Sequence, residues 1–85
     1  MTGPEVKITV LLFSHLRHAL GSGKLTITLA AGSTAADLVG HIREMLEERL
    51  AGMPMRVAVN GQFATDDTIL QAGDEVALIP PVQGG

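Results

Sequence analysis

The stretch VKITVLLF, residues 6–13, alternates at first and then turns wholly apolar. Val6, Ile8, Val10 and Leu12 share one face, and Lys7, Thr9, Leu11 and Phe13 share the other. The β-branched content predicts a strand. Gly21, Ser22 and Gly23 break the pattern before KLTITL, residues 24–29, where Leu25, Ile27 and Leu29 alternate with Lys24, Thr26 and Thr28. Two strands around a glycine-bearing connection predict a hairpin. Its connection is longer than a tight turn, with Leu16 and Arg17 in it or just before it.

The period then changes. Ala35, Leu38, Val39, Ile42, Met45, Leu46 and Leu50 recur at helical spacing through AAGSTAADLVGHIREMLEERLAG, which predicts an amphipathic helix. Thr34 is placed to cap it, with Asp37 three residues on as a shortened capping box and favourable at the positive helix end. Gly40 inside the helix costs about 1 kcal/mol relative to alanine and suggests a close approach to the sheet. Arg49 suits the last turn, and Gly52 with Pro54 ends the element.

Residues 55–59, MRVAV, read as a short strand, and Asn60-Gly61 as a turn in which both residues tolerate positive φ. Phe63 and Ala64 extend the chain briefly beyond it. Thr68, Ile69 and Leu70 read as one short helical turn plugging an apolar gap. Ala72-Gly73-Asp74 is a turn, and EVALI, residues 75–79, is the last strand. The order β-β-α-β-β, with one long helix, predicts an α+β mixed sheet of four to five strands covered on one face. The first hairpin should be antiparallel, and the helix should return the chain parallel to the first strand by a right-handed crossover. The covered face should hold Val6, Ile8, Val10, Leu12, Leu25, Ile27, Leu29, Met55, Val57, Val59, Val76 and Leu78. The other should carry Leu11, Phe13, Ala58, Ala77 and Ile79, with Arg17 and Arg56 nearby. An uncovered apolar patch beside cations is a candidate interface.

Length and composition narrow the chemistry. Eighty-five residues suit one small domain. The chain contains no cysteine, so disulfides, thiolate metal sites and a cysteine nucleophile are excluded. Nine acidic residues against six basic ones, and no aromatics beyond Phe13 and Phe63, argue against nucleic acid. No apolar run reaches membrane-spanning length, MTGPEVK lacks a signal-peptide pattern, and a cytoplasmic location is expected. His15, His18 and His41 lack further metal donors at ligand spacing. Ser14, Ser22 and Ser33 lack a nucleophile elbow. Asp66-Asp67 and Asp74-Glu75 are turn acids, Glu47-Glu48 is a solvated helix face, and GSG at 21–23 lacks the phosphate-loop lysine and spacing.

The C-terminus is what remains. Pro80 and Pro81 remove two backbone donors and stiffen the exit from the last strand. Gly84 and Gly85 lack side chains, so the end can thread a narrow slot. Its one reactive group is the Gly85 α-carboxylate. A partner that uses ATP can convert it to an acyl-adenylate, which a sulfur nucleophile opens to a terminal thiocarboxylate.

Four stretches, VLLFSHLRHALG, STAADLVGHI, VAVNG and LQAGDEVALIPPVQGG, together resemble the MoaD/ThiS family of ubiquitin-like β-grasp sulfur carriers, and within it the small-subunit type of molybdopterin synthase. The resemblance implies a β-grasp domain over residues 1–81 and a C-terminal Gly-Gly tail at 82–85. It implies that Gly85 is adenylated and thiocarboxylated, with Gly84 threading the tail, and that Phe13, Arg17 and Ile79 stand at positions facing partners; Arg56 beside the uncovered face, and Pro80 and Pro81 at the exit from it, are expected to join that interface. Those partners are a MoaE-type large subunit in a heterotetramer, a MoeB-type E1-like enzyme that uses the ATP, and a sulfur-donor protein. The sulfur acceptor it implies is cyclic pyranopterin monophosphate, with no active site, metal or permanently bound cofactor on the carrier. Many relatives read Phe-Phe-Pro-Pro where this chain has Leu78-Ile79-Pro80-Pro81. Related carriers serve cysteine, thiamine or tungsten-cofactor synthesis, and ubiquitin-like conjugation through Gly85 is a further alternative.

Overall fold

Alternation of apolar residues builds one five-stranded sheet. The strands are β1 (Glu5–Leu12), β2 (Lys24–Ala30), β3 (Arg56–Val59), β4 (Gln62–Phe63) and β5 (Glu75–Ile79), with helices α1 (Ser14–Leu20) and α2 (Ala35–Glu44). The computed structural model describes residues 3–46, 48, 52 and 54–79. The readings placed on Glu47, Arg49, Leu50, Pro80, Pro81 and residues 82–85 lie outside the described residues.

The sheet order is β2-β1-β5-β3-β4. β1 pairs antiparallel with β2 and parallel with β5, while β3 is antiparallel to both β5 and β4. The mixed sheet and antiparallel first hairpin are as expected, but the predicted crossover is corrected. The segment after α2 delivers β3, which runs opposite to β1, and the strand parallel to β1 is β5. The reason is the tight Asn60-Gly61 turn, with φ of 50° and 85°. It pairs β3 with the two-residue β4, so a further loop carries the chain back to the centre of the sheet as β5.

Ile8, Val10, Leu12, Ile27, Leu29, Val57, Val76 and Leu78 from the strands meet Ala35, Leu38 and Ile42 from α2 in one buried cluster. Leu16 and Leu70 complete it, and Val6, Leu25, Val39, Leu46, Met55 and Val59 pack against its margin. No described polar or charged residue is buried, so the core is held by apolar burial and close packing alone.

The start of α2 accounts for each orphan amide. Thr34 Oγ1 accepts from Asp37 N at 3.2 Å, and Asp37 Oδ2 accepts from Thr34 N at 2.9 Å, the reciprocal box the sequence predicts. Ala35 N donates to Thr68 O and Ala36 N to Asp66 O, so the loop before β5 finishes the cap.

Other expectations are corrected. Residues 14–20 are not a loop but helix α1, closed by Gly21 in the left-handed region. Leu16 is fully buried, and tertiary packing stabilises a helix too short to stand alone. Phe13 lies just past β1, extended, at the N-cap of α1. Residues 68–70 are not helical. Ile69 forms an isolated bridge with Thr34, Leu70 N donates to Ser33 O, and Leu70 is the buried plug. α2 has Met45 at its C-cap, and that side chain is 46% exposed, outside the predicted apolar stripe. Gly40 is exposed, and a Cβ there would meet nothing within 4 Å. No close approach to the sheet requires it.

Candidate functional site

The sheet topology brings four predicted residues to one end. Because β1 and β5 are parallel, Leu12 and Ile79 finish side by side, and antiparallel β2 and β3 begin there with Lys24 and Arg56. Phe13 follows directly from Leu12, α1 carrying Arg17 follows Phe13, and Arg56 is the register partner of Ile79. β5 therefore ends, at Ile79, on the same end of the sheet as Phe13, Arg17 and Arg56.

The outer face is ordered by register. Lys24, Leu11, Ala77, Ala58 and Phe63 form one row across all five strands. Ala77 and Ala58 give it a low floor between Leu11 and Phe63. One step toward the chain exit stand Ile79 and Arg56. One step the other way the row turns polar with Thr26, Thr9 and Glu75. The apolar half thus lies next to the point where the C-terminal residues begin. Leu11, Ala58, Ala77 and Ile79 are half-buried, and Phe13 is 45% exposed.

Phe63 is the residue that sequence reasoning does not place in the site. It is 64% exposed, and the Arg56 guanidinium sits over its ring, 4.2 Å from the centroid. At an exposed site such a contact contributes about 0.5–1 kcal/mol and holds both side chains in place. The available signal is the Asn60-Gly61 turn. A two-residue connection puts Phe63 opposite Ala58, on the same face as Arg56 two residues earlier.

Arg17 is exposed on α1 and lies along Gly23. A Cβ built on Gly23 would stand 3.4 Å from Arg17 Nε and 3.5 Å from Cδ. With His18, Gly21 and Ser22 these residues line a shallow surface concavity. At the opposite end of the sheet Asn60 has a structural role. Asn60 N donates to Glu75 O at 2.8 Å, its Oδ1 accepts from Glu75 N at 3.0 Å, and its Nδ2 donates to Asp74 Oδ1 at 3.0 Å. Asp74 Oδ2 accepts from Gln71 N at 2.8 Å, and Thr65 Oγ1 donates to Asp67 Oδ1, so both acids serve their turns.

Among the described residues, no group of three or more His, Cys, Asp or Glu is placed to hold a metal ion. No helix there is long and apolar enough to cross a membrane. The described outer face is half apolar and bordered by Arg17 and Arg56 at the end of the sheet where β5 finishes.

Comparison with known proteins gives the family and the fold. The model of the ThiS family matches residues 10–85. The chain is 37% identical over 85 residues to the molybdopterin synthase sulfur carrier subunit of Arabidopsis thaliana, across 95% of this chain and 85% of that protein. The structure of SAMP1 from Haloferax volcanii superposes with a TM-score of 0.76 at 28% identity, covering 93% of this chain and 99% of that one. At the level of fold alone, a chain from the complex of subunits 1 and 2 of the Helicobacter pylori molybdopterin-converting factor superposes with a TM-score of 0.61. It is 24% identical, covering 94% of this chain and 100% of that one.

Proposed function

The chain belongs to the ThiS family, the ubiquitin-like β-grasp sulfur carriers, and we propose that it is the sulfur-carrier subunit of a molybdopterin synthase. The observation that carries this reading is the span of the family match. It runs from within β1 to Gly85, taking in both the sheet and the terminal Gly-Gly. The relatives from Arabidopsis thaliana and Drosophila melanogaster, matched over 95% and 98% of this chain, are sulfur carrier subunits.

In this reading residues 1–81 form the carrier body and 82–85 the reacting tail. A Gly85 carboxylate oxygen attacks the α-phosphorus of ATP on an activating enzyme, and pyrophosphate leaves. A persulfide on a donor protein then attacks the Gly85 carbonyl and expels AMP, giving an acyl disulfide; a second thiol attacks the donor's inner sulfur, forms a disulfide there and releases the thiocarboxylate that is delivered to cyclic pyranopterin monophosphate. Gly84 and Gly85 keep this end thin, because a β-carbon would crowd the attacked carbonyl. The carrier binds a large, MoaE-like subunit through the outer face at the chain exit, and the activating enzyme uses the same face in turn. Phe13, Ile79, Arg56, Phe63 and Arg17 supply apolar anchors bordered by cations, the composition of interface hot spots. Pro80 and Pro81 stiffen the path from that face to the tail. The complex of subunits 1 and 2 named for the Helicobacter pylori neighbour supports the pairing with a second subunit.

The test is ATP–pyrophosphate exchange with the activating enzyme, together with intact mass. The full chain should exchange pyrophosphate and gain about 16 Da when OH becomes SH through acyl transfer. Deletion of Gly85 should leave the melting curve unchanged and abolish both signals. It draws the carboxylate back by about 3.3–3.6 Å, too far for an aligned acyl transfer. A variant without Gly85 that still exchanges and receives sulfur would refute the mechanism. The likeness to SAMP1, a modifier by name, favours a second reading, attachment through Gly85 to lysines of other proteins. Ladders of conjugates that depend on Gly85 would identify it.

A further inference from the structure

The sheet has two edges of unlike construction. β4 is two residues long, which leaves little backbone to recruit another strand. β2 is seven residues long, has no proline, and among the described residues pairs on one side only. An edge of that length is ordinarily an open template for another chain.

The hydrogen-bond phase shows which groups the β2 edge presents. Leu12 N donates to Gly23 O, and Ala31 N donates to Pro4 O. In an antiparallel ladder bonded pairs alternate, so Leu25, Ile27 and Leu29 turn their amides and carbonyls toward β1. Lys24, Thr26, Thr28 and Ala30 turn theirs outward. Two serines occupy the ends of that outward row. Ser22 Oγ donates to Lys24 O at 2.7 Å and accepts from Lys24 N at 3.2 Å. Ser33 Oγ donates to Ala30 O at 2.6 Å, and Ser33 N donates to the same oxygen at 3.1 Å. Each hydroxyl lies where a neighbouring strand would place its own donor or acceptor.

The row is symmetric about Ile27. In an antiparallel pairing with a second copy, Thr26 faces Thr28, Leu25 faces Leu29, Ile27 faces itself across the two-fold axis, and Lys24 faces Ala30. Apolar residues meet on the core side and threonines on the other, with no like charges opposed. We infer that the free edge of β2 is a self-complementary pairing surface for a second copy of this chain, and that the Ser22 and Ser33 hydroxyls keep it closed. They leave only the two Thr26–Thr28 pairs, about four hydrogen bonds. A carrier that exchanges partners through its outer face would thereby stay single.

The test is sedimentation velocity over a wide concentration range. The wild-type chain should remain monomeric, and its Thr26 and Thr28 amides should exchange rapidly with solvent. The double variant Ser22→Ala, Ser33→Ala frees both Lys24 groups and leaves Ala30 O held by the Ser33 N–H alone. It should raise the self-association constant by about tenfold or more and slow exchange at Thr26 and Thr28. Adding Thr28→Pro removes an outward amide without touching the β1 ladder and should restore the monomer. A folded double variant that stays monomeric, or a dimer that Thr28→Pro does not dissolve, overturns the inference. If the double variant fails to fold, Ser33→Ala alone, which retains the Ser33 N–H bond, takes its place. Amide exchange at Thr28 should then slow as concentration rises, and exchange that stays as fast as in the wild type overturns the inference equally.

Discussion

The two faces of β1, β3 and β5 are made of neighbouring residues, yet they have different physical fates. Val10, Leu12, Val57, Val76 and Leu78 point inward, and α2 and α1 cover them. Leu11, Ala58, Ala77 and Ile79 point outward and remain half-buried, with Phe63 more exposed still. The inner face gains its stability from the fold itself. The outer face keeps apolar area unburied, and burial of that area becomes available when a partner docks. One helical layer on a sheet that is apolar on both sides is how a chain of this size can hold a core together with the proposed interface. The outer row is also graded, apolar at the end where β5 finishes and polar toward Thr9 and Glu75, so the proposed docking is directed to that end.

Breaking the inner face should have the largest effect on folding. Leu38 is fully buried between α2 and the sheet, and Leu38→Ala should cost about 2–5 kcal/mol, read from urea or guanidinium unfolding. In a small domain that is a large part of the total stability. The outer face should respond in the opposite sense. Phe63→Ala removes an exposed ring and its contact with Arg56, so folding stability should change by about 1 kcal/mol or less. Affinity for the large subunit should fall by about 2 kcal/mol or more in calorimetric titration. An unchanged affinity would remove Phe63 from the interface, and a loss of stability equal to that of Leu38→Ala would erase the distinction between the faces.

The smallest effect is a control belonging to neither face. Gly40 is exposed on α2 with open space around its Cα, so Gly40→Ala should raise stability by about 0.5–1 kcal/mol and leave partner binding unchanged. Its readout is the denaturation midpoint at constant slope. A fall in partner affinity, with the midpoint raised as expected, would show that the glycine serves a contact made only in a complex.

The sequence alone determined whatever depends on local period and local hydrogen bonding. Strand alternation separated Ile8, Val10 and Leu12 from Thr9 and Leu11, the 3.6-residue spacing marked α2, and Thr34 with Asp37 announced its cap. Asn60-Gly61 announced the turn, and the terminal Gly-Gly with the family resemblance pointed to the carrier class. What the sequence left open depends on tertiary contacts. α1 carries two leucines in seven residues, too few for a helical period to show, and it forms because Leu16 is buried in the core. Ile69 and Leu70 depart from the helical expectation for the same reason: their conformation is set by bonds to Ser33 and Thr34, far away in the chain. Strand order was beyond local reading, since β3 and β5 are both short apolar runs and only three-dimensional closure decides which lies beside β1. Phe63 joined the outer row through that same decision. Periodicity fixes which face a side chain occupies, while neighbours across a sheet are chosen by packing between segments that local sequence does not connect.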